Sequence, residues 1–149
     1  MLQRHTPFAV TAPLPPRLDS LASYWRGLLR GGAETPFADD LDMAAVNALV
    51  SDSFVLGVFE KPERFRMDLA HTPHAPAIEA DLMDRFIDEV ALPSPLEFLR
   101  AQAEATVEAA APTVYVHTAE GPERSYQRLL LPAWGEGHVK LLLGALEWR

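Results

Sequence analysis

Residues 126–148 read YQRLLLPAWGEGHVKLLLGALEW, two apolar runs separated by the polar hinge GEGH. A hairpin with one wet face alternates apolar and polar residues along each strand. Neither run does so cleanly. In the second, Val139, Leu141 and Leu143 are expected on one face, with Leu142, Gly144 and Leu146 on the other. Both faces of such a strand must be covered, which selects a layered domain with the final hairpin inside its sheet.

The rest of the chain supplies the layers. Residues 1–16 contain four prolines and no helical period, and read as an extended arm. Residues 17–149 then form a single domain. It opens with an amphipathic helix over 17–31, whose stripe is Leu18, Leu21, Trp25 and Leu28, with Ala22 and Leu29 beside it and Gly31-Gly32 as the stop. A short helix over 41–51 follows. Strands at 53–59 and 64–71 are joined by so short a link that they form a hairpin, with Phe65, Met67 and Leu69 on one face. One or two short helices are expected in 73–92, where Ile78, Leu82, Phe86 and Val90 recur every four residues.

The clearest helix is 94–112. Ser94 and Glu97 fit a capping box, Pro95 the first helical position and Pro112 the stop, with Leu96, Leu99, Ala103, Val107 and Ala110 facing inward. Three strands close the chain at 113–118, 124–134 and 138–148, with turns at EGPE and GEG. The expected fold is α+β: a PAS-like five-stranded antiparallel sheet with the last strand beside the first. Helices cover one face. The N-terminal helix, from this chain or a second copy, covers the other. Burying its four large side chains, at about 1.5–3 kcal/mol each, is comparable with a domain's net stability, so it is not a free tail.

Composition removes several classes of function. With no cysteine, disulfides, thiolate metal sites and thiol-adduct flavin photochemistry are excluded. The net charge of −8 disfavours nucleic acid. That charge is uneven: Arg4, Arg17, Arg26 and Arg30 face only Asp19 in the first thirty residues, so a basic segment precedes an acidic body on which it could lie. No run reaches the roughly 18 apolar residues of a membrane span and no signal peptide opens the chain, so a cytoplasmic protein is expected.

Tyr24-Trp25 followed by Leu29-Arg30-Gly31-Gly32, together with Tyr126, Arg128-Leu129-Leu130-Leu131-Pro132, Val139 and Leu142-Leu143-Gly144-Ala145, carry a family likeness. Over roughly residues 18–147 the chain resembles an alphaproteobacterial family of single PAS-type domains. It departs from that pattern after the second strand, where Ala70-His71-Thr72 replaces a glycine context and no glycine follows up to Arg85. The resemblance implies a non-enzymatic sensory or regulatory module in signal transduction, with a small pocket between sheet and helices and a homodimer made through Leu18, Leu21, Trp25 and Leu28. With no output domain in the sequence, it would act on a signalling protein such as a histidine kinase, a cyclase or a cell-polarity factor.

Phe65, Met67, Leu99 and Val107 are the expected apolar walls of that pocket, and a small-molecule ligand there is the alternative reading. Tyr115, His117, Tyr126 and Arg128 alternate along adjacent strands. If they face the pocket they could hydrogen-bond an anionic or carbonyl ligand; if they face outward they are ordinary cross-strand pairs. No cofactor and no metal are expected. His71 and His74 flank Pro73, which breaks helical metal spacing, and residues 94–111 offer no histidine to a haem. Asp39, Asp40 and Asp42 lack the spacing of a calcium loop and read as a helix cap. A third class, an acid–base enzyme on a ketosteroid-isomerase-like cone, would have to recruit Asp68 and Tyr126.

Overall fold

The computed structural model describes residues 8–122 and 124–149. The first seven residues of the expected arm, Arg4 among them, and Glu123 of the expected EGPE turn lie outside the described residues. Ahead of the first helix, Ala9 bridges Thr113 and the Val114 N–H donates to the Phe8 carbonyl at 2.8 Å, so the arm starts along a sheet edge. The helices among the described residues are α1 (Pro16–Gly27), α2 (Met43–Leu49), α3 (Pro76–Leu82) and α4 (Leu99–Ala109). The strands are β1 (Asp52–Phe59), β2 (Arg64–His71), β3 (Thr113–His117), β4 (Tyr126–Gly135) and β5 (His138–Trp148). They form one antiparallel sheet in the order β2-β1-β5-β4-β3, a PAS-like arrangement with the last strand central. Glu136 and Gly137, both with positive φ, make the two-residue turn between β4 and β5, as the twist of a tight hairpin requires.

Two separate cores result, one on each face. The inner core joins Phe54, Leu56, Leu130, Leu142 and Leu146 of the sheet to Ile78 and Leu82 of α3 and Leu99 and Ala103 of α4. The outer core joins Val55, Leu129, Leu131, Leu143 and Ala145 to Leu18, Leu21, Ala22 and Trp25 of α1 and to Val46 of α2. The N-terminal helix therefore covers the outer face of its own sheet, and α2 shares that task. Its attachment is polar as well as apolar. The Trp25 indole N–H donates to the Pro132 carbonyl at 2.8 Å, the Tyr24 hydroxyl accepts from the Asp42 N–H at 2.9 Å, and Glu147 Oε1 accepts from the Arg17 and Leu18 N–H groups.

Several boundaries and facings differ from the sequence expectation. Helix α1 ends at Gly27, and Leu28 is a half-buried C-cap outside the stripe. Leu69 is 50% exposed because a bulge at Asp68 lets two β2 residues oppose one step of β1, which reverses the alternation after Met67. A matching bulge at Lys140 puts Val139 in the inner core with Leu142, whereas the spacing places it with Leu141 and Leu143. The four-residue period through Phe86 and Val90 is not helical. Asp84, in the left-handed region, turns the chain back, and residues 84–87 lie along β2 through Met67 N–H to Arg85 O, Asp84 N–H to Met67 O and Ile87 N–H to Phe65 O. That pairing covers the sheet edge at Phe65–Met67.

Gly144 sits where β5 crosses Phe54, and a Cβ there would collide with the phenyl ring. Replacing Gly144 with alanine should destabilise the protein by about 1–3 kcal/mol through overpacking. In urea denaturation, the Gly144→Ala, Phe54→Leu double variant should lose less than the sum of the two single losses.

Candidate functional site

The residues nominated as polar pocket lining do converge, at the β3–β4 end of the inner face where the chain enters α4. Arg128 and Tyr126 are fully buried. Period two along β4 puts both on the inner face, and Tyr115 and His117 pair opposite them on β3. The Arg128 guanidinium donates from Nε to Gln102 Oε1 at 2.8 Å, from Nη1 to the Pro95 carbonyl at 2.9 Å and from Nη2 to the Glu97 carbonyl at 2.7 Å, and it lies 4.8 Å from the Tyr115 ring centre. All three acceptors are neutral. Gln102 is itself held: its Nε2 donates to Thr113 Oγ1 at 3.1 Å and to the Arg128 carbonyl at 3.2 Å. Thr106 and Thr113 complete the cluster with hydroxyls 2.6 Å apart.

Beside it runs a second chain of contacts. The Tyr126 hydroxyl donates to Glu97 Oε1 at 2.5 Å, His117 stacks on the Tyr126 ring at 4.9 Å, and Tyr115 Oη lies 3.2 Å from His117 Nδ1. Burial, then the bond to Glu97, pushes the Tyr126 hydroxyl up, so it stays protonated and donates. Burial alone would raise the Glu97 carboxyl, but the Tyr126 hydroxyl, backbone and Ser94 bonds and the nearby His117 hold it below its ordinary value of 4.5. Burial pushes Arg128 down to about 10 against the pull of Tyr126, Tyr115 and Glu97, which leaves it charged at neutral pH.

This cluster explains why the expected helix over 94–112 begins only at Leu99. The carbonyls of Pro95 and Glu97 point to Arg128 and the Glu97 side chain goes to Tyr126, so no capping box forms; Phe98 enters the helix from the left-handed region. Sequence reasoning missed Gln102 and Thr106. Their signal was available: Leu99, Gln102, Ala103 and Thr106 share one helical face, and a glutamine and a threonine on a buried stripe require partners.

The apolar nominees lie elsewhere on the same face. Phe65, Met67 and Leu99 are buried in the inner core and Val107 packs against it; none of them lines the clefts beside Tyr115, Phe37, His74 or Phe59. Of the nominated packing stripe, Leu18, Leu21 and Trp25 are buried against the chain's own sheet and Leu28 is not part of that core. Asp68 pairs with Arg66 and sits against Gly57 on the outer side of the sheet, whereas Tyr126 belongs to the inner core, so the structure does not bring the two together. Asp42 caps α2 through the Ala44 N–H at 3.0 Å, and Asp40 takes a two-pronged bond from Arg30. Among the described residues no three His, Asp or Glu side chains converge on a metal-sized space.

No family model matches the chain, and no curated protein matches its sequence.

Chemically the cluster is a tie between β4 and the segment that starts α4. Arg128→Met should leave three buried acceptors without a donor and cost about 3–5 kcal/mol in chemical denaturation. Arg128→Lys should restore only part, because one ammonium cannot reproduce the planar fork. Tyr126→Phe should cost about 1 kcal/mol at neutral pH, since Glu97 is partly solvated. The folded Glu97 pKa lies below its unfolded value. The stabilisation from this bond is therefore complete above the ordinary 4.5 and disappears as pH falls through the depressed folded value. The stability gap between wild type and Tyr126→Phe should close over that acid range.

Proposed function

We propose that the chain is a non-enzymatic PAS-type regulatory module that pairs with a second copy of itself and acts on a signalling protein such as a histidine kinase or a cyclase. The PAS-like fold and the family resemblance of the helix and hairpin segments support the regulatory class. The saturation of Arg128, Tyr126 and Glu97 by one another and by backbone supports a structural role for the cluster that most resembles a reactive site.

The observation that carries the pairing is the state of the two sheet edges. The β2 edge is covered at Phe65–Met67 by residues 84–87. Along the outer edge of β3, among the described residues, Phe8 and Ala9 make the backbone contacts, at Thr113 and Val114, and Val116 and Phe98 stand 50% and 67% exposed beside it. An open edge flanked by apolar side chains is a template for another strand. The α1 stripe is already spent on its own sheet, so pairing through it would require exchange of the helix between copies. Pairing along β3 beyond Val114, where the contact with Phe8 ends, leaves α1 in place.

Sedimentation at micromolar concentration should give the mass of two chains, and Val116→Lys should reduce it to one without lowering the denaturation midpoint. A Val116→Lys protein that stays paired would favour exchange of α1 instead. A single-chain mass for the wild type would remove the pairing, and a pull-down from the source cell that recovers no signalling protein would count against the regulatory role.

A further inference from the structure

At the end of the sheet remote from the β4–β5 turn, a cleft of about 340 Å³ is lined by Arg17, Ser51, His74, Arg124, Glu147 and Trp148. It lies within the size range of small-molecule sites, about 300–1,000 Å³. Its floor is built around a buried charge. Asp52 is fully buried; its Oδ2 accepts from the Trp148 indole N–H at 2.6 Å, and its Oδ1 lies 3.2 Å from both the His74 backbone N–H and His74 Nδ1. One carboxylate thus fixes two of the side chains that line the cleft. With Nδ1 engaged by Asp52, the remaining nitrogen of the half-exposed imidazole is Nε2.

The cleft brings cations and carboxylates together in equal number, Arg17 and Arg124 against Glu147 and the underlying Asp52, but the two kinds of group are engaged differently. Arg124 lies over the Trp148 indole at 4.4 Å, and among the described residues neither Arg124 nor Arg17 joins an ion pair. Among the described residues, the two carboxylates at the cleft accept fold-building hydrogen bonds: Asp52 from Trp148 and His74, and Glu147, through Oε1, from the Arg17 and Leu18 backbone N–H groups at 2.9 and 3.1 Å. Two guanidiniums without an ion-pair partner among the described residues thus stand next to a hydroxyl and an imidazole in one cleft. We propose that this cleft binds a phosphate group, free or as a monoester, held by the Arg17 and Arg124 guanidiniums with Ser51 and His74 as further hydrogen-bonding groups. Guanidinium matches a tetrahedral oxyanion through paired N–H donors, and the second charge of a phosphate rewards two cations where a carboxylate rewards one. The inference does not depend on the pairing proposed above, because the cleft lies at β1, β5 and the start of α1 and not at the β3 edge.

The test is a titration at constant ionic strength with inorganic phosphate, O-phosphoserine and acetate, followed through the tryptophan indole N–H resonances. Phosphate should shift the Trp148 resonance saturably and leave Trp25 and Trp134 in place, and acetate should bind more weakly. Saturation by phosphoserine as well as phosphate identifies the monoester as a ligand; saturation by phosphate alone identifies the free ion. Arg17→Ala and Arg124→Ala should each weaken binding about tenfold, while Arg100→Ala, on the exposed side of α4, leaves it unchanged. If a truncation moves the Trp25 resonance, which reports packing of α1, Arg17→Gln or Arg124→Gln carries the same comparison. A shift that does not saturate, equal binding of acetate, wild-type affinity in both arginine variants, or an equal loss in Arg100→Ala would each overturn the assignment.

Discussion

A central strand that is apolar on both faces can persist in water only between two layers, and β5 is such a strand. Leu142 and Leu146 meet α3, α4 and Phe54 on one side, while Leu143 and Ala145 meet α1 and α2 on the other. The order of the sheet follows from the same requirement, because β5 is shielded best when β1 and β4 flank it. It also makes α1 part of the fold. Without that helix, the outer face of three neighbouring strands would present an apolar patch, which monomeric proteins seldom tolerate. The Trp25 bond to Pro132 uses a carbonyl of β4 and so fixes the helix over the middle of the sheet as well as against it.

The inner layer needs a different device, since α4 is short and rich in alanine. Its packing against the sheet is reinforced by Arg128, whose three bonds collect the carbonyls of Pro95 and Glu97 and the amide of Gln102. A buried cation among neutral acceptors carries a desolvation cost, and burial accordingly lowers its pKa to about 10. The compensation is geometric. Five donors in one plane can satisfy acceptors from two different segments at once, which no apolar side chain and no lysine can do. The stacked His117 and Tyr126 rings and the Glu97 carboxylate then close the rim of the same cluster.

What could be read in the sequence was whatever depends on periodicity. The two-sided apolar pattern of 138–148, the Leu18–Leu21–Trp25–Leu28 stripe and the hairpin at 53–71 predict the layers, the strand order and the coverage of both faces. Three kinds of feature escaped. Bulges at Asp68 and Lys140 insert one residue each and reverse the facing of Leu69 and Val139, and no local preference in the sequence announces them. The start of α4 was misplaced because Ser94, Pro95 and Glu97 satisfy a local rule that Arg128, some thirty residues away, overrides. Residues 84–87 keep a helical period by coincidence, while the free backbone of β2 recruits them as an edge partner. Of the candidate site, the alternation of Tyr115, His117, Tyr126 and Arg128 along adjacent strands was legible, but whether they face inward or outward was not. Gln102 and Thr106 were not read, though their place on a buried stripe marks them.

The same long-range logic governs charge. The excess of arginine in the first thirty residues suggests a basic segment that could lie on an acidic body, and the structure gives two of those arginines, Arg30 and Arg17, different surroundings. Arg30 pairs with Asp40 and ties the end of the first helical segment to the turn before α2. Arg17 takes no such partner among the described residues; its backbone N–H and that of Leu18 donate to Glu147 Oε1. Helix α1 therefore brings a guanidinium to the sheet end beside the carboxylate that fastens its first turn. Arg124, arriving from the β3–β4 connection, is placed over Trp148, whose orientation is set by the buried Asp52. The cleft is thus a consequence of how the outer layer is fastened: among the described residues, Asp52 and Glu147 hold Trp148, His74 and the start of α1, while the Arg17 and Arg124 guanidiniums beside them join no ion pair.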